Sequence, residues 1–190
     1  MKLIVRIFKE VKMILIMNVD RNFSIGYKGD MLYHLKTDLK RFRDITTGHI
    51  MVMGRKTLES LPGAKPLPNR THIVVTSNKN YKNEDAIIVN DIEKLDDVIK
   101  DIQEAGQEVF LIGGANLIDQ LLDKCRLAYI TKTDKAYELF DTQMANLDKL
   151  DNWKIIEVSE IHEEIQAGEL FQFKYVTYRN TNFCMSEENA

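Results

Sequence analysis

A carboxylate stands where an apolar side chain is due. Leu35, Asp38, Leu39 and Phe42 fall at i, i+3, i+4 and i+7, a spacing that places side chains on one stripe of a helix. Asp38 therefore lies on the apolar face of its segment. Burying an unpaired charge is expensive, so the group calls for a partner. A ligand cation or an amidine-like pair of donors would serve. So would the backbone N–H groups and dipole of the helix's own first turn. Periodicity leaves both readings open.

Two glycine-bearing turns could hold anions. Gly54-Arg55-Lys56-Thr57 follows an apolar run and opens a short helical segment, residues 57–61. Free N–H groups at a helix start attract phosphate, and Arg55 and Lys56 add positive charge. The plainer reading is a basic surface turn capped by Thr57. Gly113-Gly114 also joins an apolar run to a helical pattern, and paired glycines let a ligand approach the backbone closely. The order Gly-Gly-Ala-Asn-Leu-Ile is not the G-x-G-x-x-G dinucleotide fingerprint, and alone it reads as a tight turn. Two such turns in one small chain say more, because a dinucleotide carries phosphate at both ends of its adenosine half. A third candidate is Arg70, which ends the rigid run Pro66-Leu67-Pro68-Asn69. It could grip a carboxylate bidentately, or be a solvated arginine beside a turn.

Other chemistries find no footing. The histidines at 34, 49, 72 and 162 show no metal-ligand spacing, so no metal is assigned. No G-x-S-x-G elbow and no cysteine-histidine nucleophile signature occurs. Cys125 and Cys184 read as free thiols in a reducing compartment. A net charge of −3, from 26 basic and 29 acidic groups, argues against a nucleic-acid footprint. Charged residues interrupt the apolar start of the chain, and no run approaches membrane-span length, so a cytoplasmic protein is expected.

The elements that must position these groups alternate along the chain. Residues 13–19, 49–53, 72–76, 86–89, 109–112, 127–131, 153–161 and 171–179 read as strands. Most are short apolar runs suited to burial on both faces, as in parallel sheets. Helical patterns at 35–46, 92–104 and 116–123 separate them. Right-handed crossovers then give a mainly parallel sheet with helices on both faces. The last two strands flank Ala167-Gly168-Glu169 as an antiparallel addition at one edge. At 190 residues, 44% hydrophobic and 29% charged, one domain suffices.

These motifs share an order with one family. Asn22 with Ile25-Gly26, Leu35 with Asp38 and Phe42, Met53-Gly54-Arg55-Lys56-Thr57-Leu58-Glu59-Ser60, Pro66-Leu67-Pro68-Asn69-Arg70, residues 73–77, Ile112-Gly113-Gly114 and Thr131 together resemble dihydrofolate reductase. The resemblance runs from residue 13 to about 180. It leaves residues 1–12 as an extension or alternative start and 181–190 as a loose tail. It implies an α/β, dihydrofolate-reductase-like domain: an eight-stranded, mostly parallel sheet with an antiparallel C-terminal edge strand and about four helices on its two faces.

It also implies NADPH-dependent hydride transfer to C6 of 7,8-dihydrofolate with protonation of N5. Asp38 would be the acid, supported by Thr131, and Tyr33 could bridge to the substrate through a water. Ile16, Met31, Leu39, Phe42, Leu61, Leu67 and Ile112 would pack the substrate, and Arg70 would hold its glutamate α-carboxylate. Arg55, Lys56, Thr76 and Ser77 would surround the adenosine 2′-phosphate, which favours NADPH over NADH. Gly54, Thr57, Gly113, Gly114, Ala115, Asn116 and Leu117 would hold the pyrophosphate, with the Gly-Gly peptide cis. Asn18 and Ile25 would lie beside nicotinamide, and residues 27–33 would be a mobile loop with Met31 at its tip. A monomer that binds antifolate inhibitors, and neither nucleic acid nor membrane, completes the expectation.

Several positions depart from the family's usual pattern. Leu32-Tyr33 replaces Pro-Trp, Ile118 a common tyrosine, Phe140 the glycine of Gly-Asp-Thr, and Asn18 a small alanine. Two rivals remain: the pyrimidine reductase of riboflavin synthesis, which should lack the pairing of Asp38 with Arg70, and a non-catalytic NADPH-binding protein, which would need neither.

Overall fold

The computed structural model describes residues 11–183. In chain order its elements are β1 (Met13–Val19), β2 (Ser24–Tyr27), β3 (Asp30–Met31), α1 (Lys36–Thr46), β4 (Ile50–Gly54), α2 (Arg55–Ser60), β5 (Thr71–Val75), β6 (Ile87–Val89), α3 (Leu95–Ile102), β7 (Val109–Leu111), α4 (Ala115–Leu121), β8 (Cys125–Thr133), β9 (Thr142–Gln143), β10 (Trp153–Val158), β11 (His162–Gln166) and β12 (Glu169–Asn180).

The apolar runs behave as two-sided strands. Along β1, Met13 and Leu15 enter one core cluster while Ile14 and Ile16 enter another on the opposite face. β7 divides the same way, with Val109 and Leu111 on one face and Phe110 on the other. Residues of α3 and α4 cover the first face, and Phe42, Ile45 and Leu58 from α1 and α2 cover the second. Alternation along a strand with helices on both faces is what a parallel sheet demands.

The main sheet runs β10-β12-β8-β1-β7-β4-β5-β6. Every pair from β8 to β6 is parallel, and β12 is antiparallel to β8. The antiparallel C-terminal strand is therefore present one place in from the rim, and β10 forms the rim itself.

The C-terminal region differs from the expected pair of strands. The run expected at 153–161 stops at Val158, and residues His162–Gln166 form a separate strand. β12, at 12 residues, is long enough to pair with β10 through its second half and β11 through its first. Between them, Ser159 takes over the pairing: its N–H donates to the Tyr175 carbonyl at 2.9 Å, and its hydroxyl accepts from the Tyr175 N–H at 3.0 Å.

A second sheet, β3-β2-β9, runs into the stretch read as a mobile loop and takes in its Tyr27, Asp30 and Met31. Gly26 is required there, because a Cβ would sit 2.8 Å from the Asp30 carbonyl across the hairpin. Asp141 fastens the hairpin by accepting from the Lys28 N–H at 2.7 Å. At the boundaries, Val11 already packs in the core and Thr181–Phe183 forms a 3-10 turn, while residues 1–10 and 184–190 lie outside the described residues. No helix among the described residues is long and apolar enough to cross a membrane.

Candidate active site

Asn18, Gly54, Gly113 and Thr131 all lie at or just beyond the carboxyl ends of parallel strands, the edge where open α/β sheets bind ligands. Asp38 reaches this edge from α1, as its third residue, and is 8% exposed. The Thr131 hydroxyl donates to its Oδ1 at 2.5 Å and the Asn18 amide to its Oδ2 at 3.3 Å. Asn18 and Thr131 are cross-strand partners of β1 and β8, so the sheet register delivers both donors together. Burial pushes the Asp38 carboxyl above its ordinary pKa, and the bonds from Thr131 and Asn18 and the charge of Arg41 pull it back only in part. Asp38 thus pairs with side chains of two strands, a set of partners that periodicity did not offer, and not with its own first turn. Asn18, expected beside nicotinamide, turns its amide to the acid.

Below the acid, an apolar wall gathers from scattered segments. Ile16 and Ile112 belong to one cluster with Phe42, Leu61 and Leu67 packed on its margin. Leu39 and Met31 stay 40% and 38% exposed, although both are large and apolar.

At the far end of α1, Arg70 is fixed by two contacts. Its Nη1 donates to Thr46 Oγ1 at 3.1 Å and its Nε to the Pro68 carbonyl at 3.0 Å. Partial burial, with Arg43 nearby, lowers its pKa, yet a guanidinium remains charged at any working pH. His72 had no assigned role in the sequence, but it organises this loop. The Leu67 N–H donates to its Nε2 at 3.1 Å, which leaves Nδ1–H to donate to the Arg70 carbonyl at 3.1 Å. Burial holds the ring below its ordinary pKa, favouring the neutral form this pattern needs.

The two glycine turns meet at the same edge. Gly54 N–H donates to the Gly113 carbonyl at 2.8 Å, and the Gly113-Gly114 peptide is cis. Gly113 has a φ of 108°, which a side chain would strain, whereas a Cβ on Gly114 would make only ordinary contact with Thr57 Oγ1 at 3.4 Å. Neither α2 nor α4 has a side-chain cap, and Ala115 and Asn116 stand at the open start of α4. These features fit a pyrophosphate. Lys56 and Ser77 are exposed near the ends of β4 and β5. Arg55 is paired with Glu59 at 2.6 Å, so an anion must share or displace that partner. The Thr76 hydroxyl accepts from the Asn78 N–H at 3.2 Å.

Three expected site residues sit elsewhere. The Tyr33 hydroxyl donates to the Val19 carbonyl at 2.6 Å, and its ring packs against Tyr137 and Phe171. With its proton committed and burial raising its pKa well above the ordinary value, it positions the loop and does not reach toward substrate. Ile25 and Leu117 are packed in the core of the opposite face, and the Leu117 N–H is spent on the Gly114 carbonyl.

Comparison with known proteins agrees with this layout. The family model described as dihydrofolate reductase matches residues 12–180. The dihydrofolate reductase of Bacillus subtilis is 34% identical over 164 residues, covering 86% of this chain and 92% of its own. That of Buchnera aphidicola is 36% identical over 167 residues, covering 87% and 94%. A solved dihydrofolate reductase from Enterococcus faecalis, complexed with NADP(H) and RAB-propyl, superposes with a TM-score of 0.75 at 29% identity, covering 89% of this chain and 96% of that one. Fold and site thus define an α/β oxidoreductase with its candidate site at the carboxyl edge of the sheet. The chain belongs to the dihydrofolate reductase family.

Proposed function

We propose that the chain reduces 7,8-dihydrofolate to 5,6,7,8-tetrahydrofolate with NADPH, using the residues described above. The observation that carries this reading is the spacing along α1. Asp38 and Thr46, the residue that holds Arg70, are eight positions apart, about 12 Å along a helix. One rigid helix therefore separates a buried acid from a fixed guanidinium, with Phe42 between them on the apolar wall. A pterin at the acid end and a glutamate α-carboxylate at Arg70 suit that ruler.

Asp38 accepts hydrogen bonds from the pterin ring N–H and amino group and promotes protonation of N5 through a water. Its raised proton affinity suits that task, because burial brings the carboxyl nearer to the working pH than an ordinary aspartate. Thr131 and Asn18 hold the carboxyl in register. Ile16, Phe42, Leu61, Leu67 and Ile112 exclude water from the rings, and the same surface would take antifolate inhibitors. When bound, NADPH supplies the hydride for C6. Thr57 and the Gly113-Gly114 turn hold its pyrophosphate, while Lys56, Ser77 and Arg55 face its 2′-phosphate. The uncapped starts of α2 and α4, beside a turn in which Gly113 has a φ of 108°, support a bound dinucleotide.

NADPH absorbance followed with purified protein, with and without dihydrofolate, tests the reading, with Asp38→Ala as control. Oxidation that needs both dihydrofolate and Asp38 is the expected result. Cofactor binding without dihydrofolate-dependent oxidation would overturn the proposed substrate.

A further inference from the structure

The start of α1 has no cap of its own. Leu35 occupies the N-cap position and offers no side-chain acceptor. Orphan N–H groups at a helix start need partners. They are met from the far end of the chain. Glu164 Oε1 accepts from the Lys36 N–H at 2.6 Å, and Glu164 Oε2 from the Thr37 N–H at 2.9 Å. Gln166 Oε1 accepts from the His34 N–H at 3.2 Å. Glu164 and Gln166 alternate along β11, so both point to one face of that strand. Asp38 is the next residue after Thr37.

We propose that Glu164 and Gln166 are positioning residues, through which the C-terminal hairpin holds the Asp38 end of α1 and sets the electrical surroundings of the Asp38 carboxyl. The inference rests on the role given to Asp38 above. Two effects follow from one carboxylate. It ties down the first turn, so that Asp38 meets Thr131 and Asn18 in a fixed position. It also places a negative charge at the helix start, which offsets the positive end of the helix dipole that would otherwise favour an ionised Asp38. The Glu164 anion is itself secure. Burial works against it, but the N–H groups of Thr37 and Lys36 and the Lys36 charge outweigh that and hold it below its ordinary pKa.

The other groups around Asp38 define what this charge is set against. Arg41, on the same helix, opposes it, while burial of the acid works in the same direction. Tyr175 of β12 and Tyr33 ahead of the helix are kept un-ionised, both pushed up first by burial and then by Asp38 itself. Arg41 also lies over the Tyr175 ring at 4.2 Å. Glu164 is thus the anionic neighbour supplied by a different element, and the one that can be removed without touching the cleft.

The test compares wild type with Glu164→Gln, Glu164→Asp and Glu164→Ala in single-turnover reduction of dihydrofolate across pH. Single turnovers report chemistry and not product release. In Glu164→Gln the limb of the profile governed by Asp38 shifts to lower pH, and the rate near neutrality falls several-fold. Glu164→Asp keeps the charge and the wild-type profile. Glu164→Ala shows the same shift and a several-fold higher KM for dihydrofolate, with KM for NADPH unchanged. A merely structural cap would lower thermal stability and leave the pH profile in place. Superimposable profiles for wild type and Glu164→Gln, with wild type active, would overturn the inference alone. A wild type that never turns over dihydrofolate would overturn the reading of Asp38 beneath it.

Discussion

Asp38 and the Gly113-Gly114 turn lie at the same edge of the sheet but are held in different ways. Asp38 is positioned by Asn18 and Thr131, which are 20 and 93 residues away, and its helix start by Glu164, 128 residues from Lys36. The glycine turns are each set by a short strand-to-helix junction, with Gly54 and Thr57 of one packed directly on the other. The acid end is thus a convergence of distant side chains. The glycine end is two pieces of local backbone placed side by side. Damage at the first should change how the group titrates; damage at the second should change only how much room there is.

Asp38→Asn breaks the comparison most severely. Near neutral pH the variant keeps NADPH binding and loses about 10²- to 10⁴-fold in rate, the usual worth of a positioned acid. Activity partly returns at low pH, where substrate arrives already protonated. The same variant should be more stable than wild type near neutrality. A carboxyl whose folded pKa is raised contributes stability that is full below the unfolded value and is lost as pH rises through the folded one. Asparagine removes that loss, so its gain in Tm appears near neutral pH and vanishes in acid. Unaltered rates near neutrality would sink the catalytic role.

Arg70→Ala tests the far end of the same helix. Removing hydrogen bonds to a charged group costs about 1.5–3 kcal/mol, so KM for dihydrofolate rises by about 10- to 100-fold with kcat little changed. A pterin substrate without the glutamate should show no difference between variant and wild type. An equal loss on both substrates would remove Arg70 from the carboxylate site.

Gly114→Ala sharpens the cofactor side and has the smallest expected effect. The φ of Gly114 is −77°, which any residue adopts, so the variant isolates the added volume against Thr57. NADPH affinity, measured by fluorescence titration, should fall about tenfold, or about 1.4 kcal/mol, while the pH profile of hydride transfer keeps its shape. A shifted profile with unchanged affinity would reverse the assignment.

The contrast also explains what could be read without coordinates. The glycine turns, the strands β1, β4, β5 and β7, and the carboxylate on the α1 stripe announce themselves within a few neighbouring residues. β11 does not, because His162-Glu163-Glu164 carries no apolar alternation, and its polar side chains serve a helix far away in sequence. The His72 contacts to Leu67 and Arg70 escape notice because a single buried histidine in an apolar strand has no spacing to recognise. Tyr33 misled for a related reason. Its ring type suits a water bridge, but the direction of its hydroxyl is set by where the β1 backbone ends, at Val19. Local chemistry was legible; the direction of a side chain across the fold was not.

The strand order has a consequence for how the protein is made. β1 leaves the ribosome early, but its neighbour β8 begins only at Cys125, and the pairing of Asn18 with Thr131 waits for it. Synthesis proceeds at about 5–20 residues per second from the N-terminus, so Asp38 is in the chain for several seconds before its hydroxyl donor Thr131 is made. Until β11 follows, α1 also lacks its borrowed cap, and its aspartate is a charge without a home. Long-range pairings of this kind are closed late and slowly. A nascent chain therefore completes the surroundings of Asp38 among its last folding events, and a prolonged stall before β8 would expose a half-built apolar sheet to chaperones.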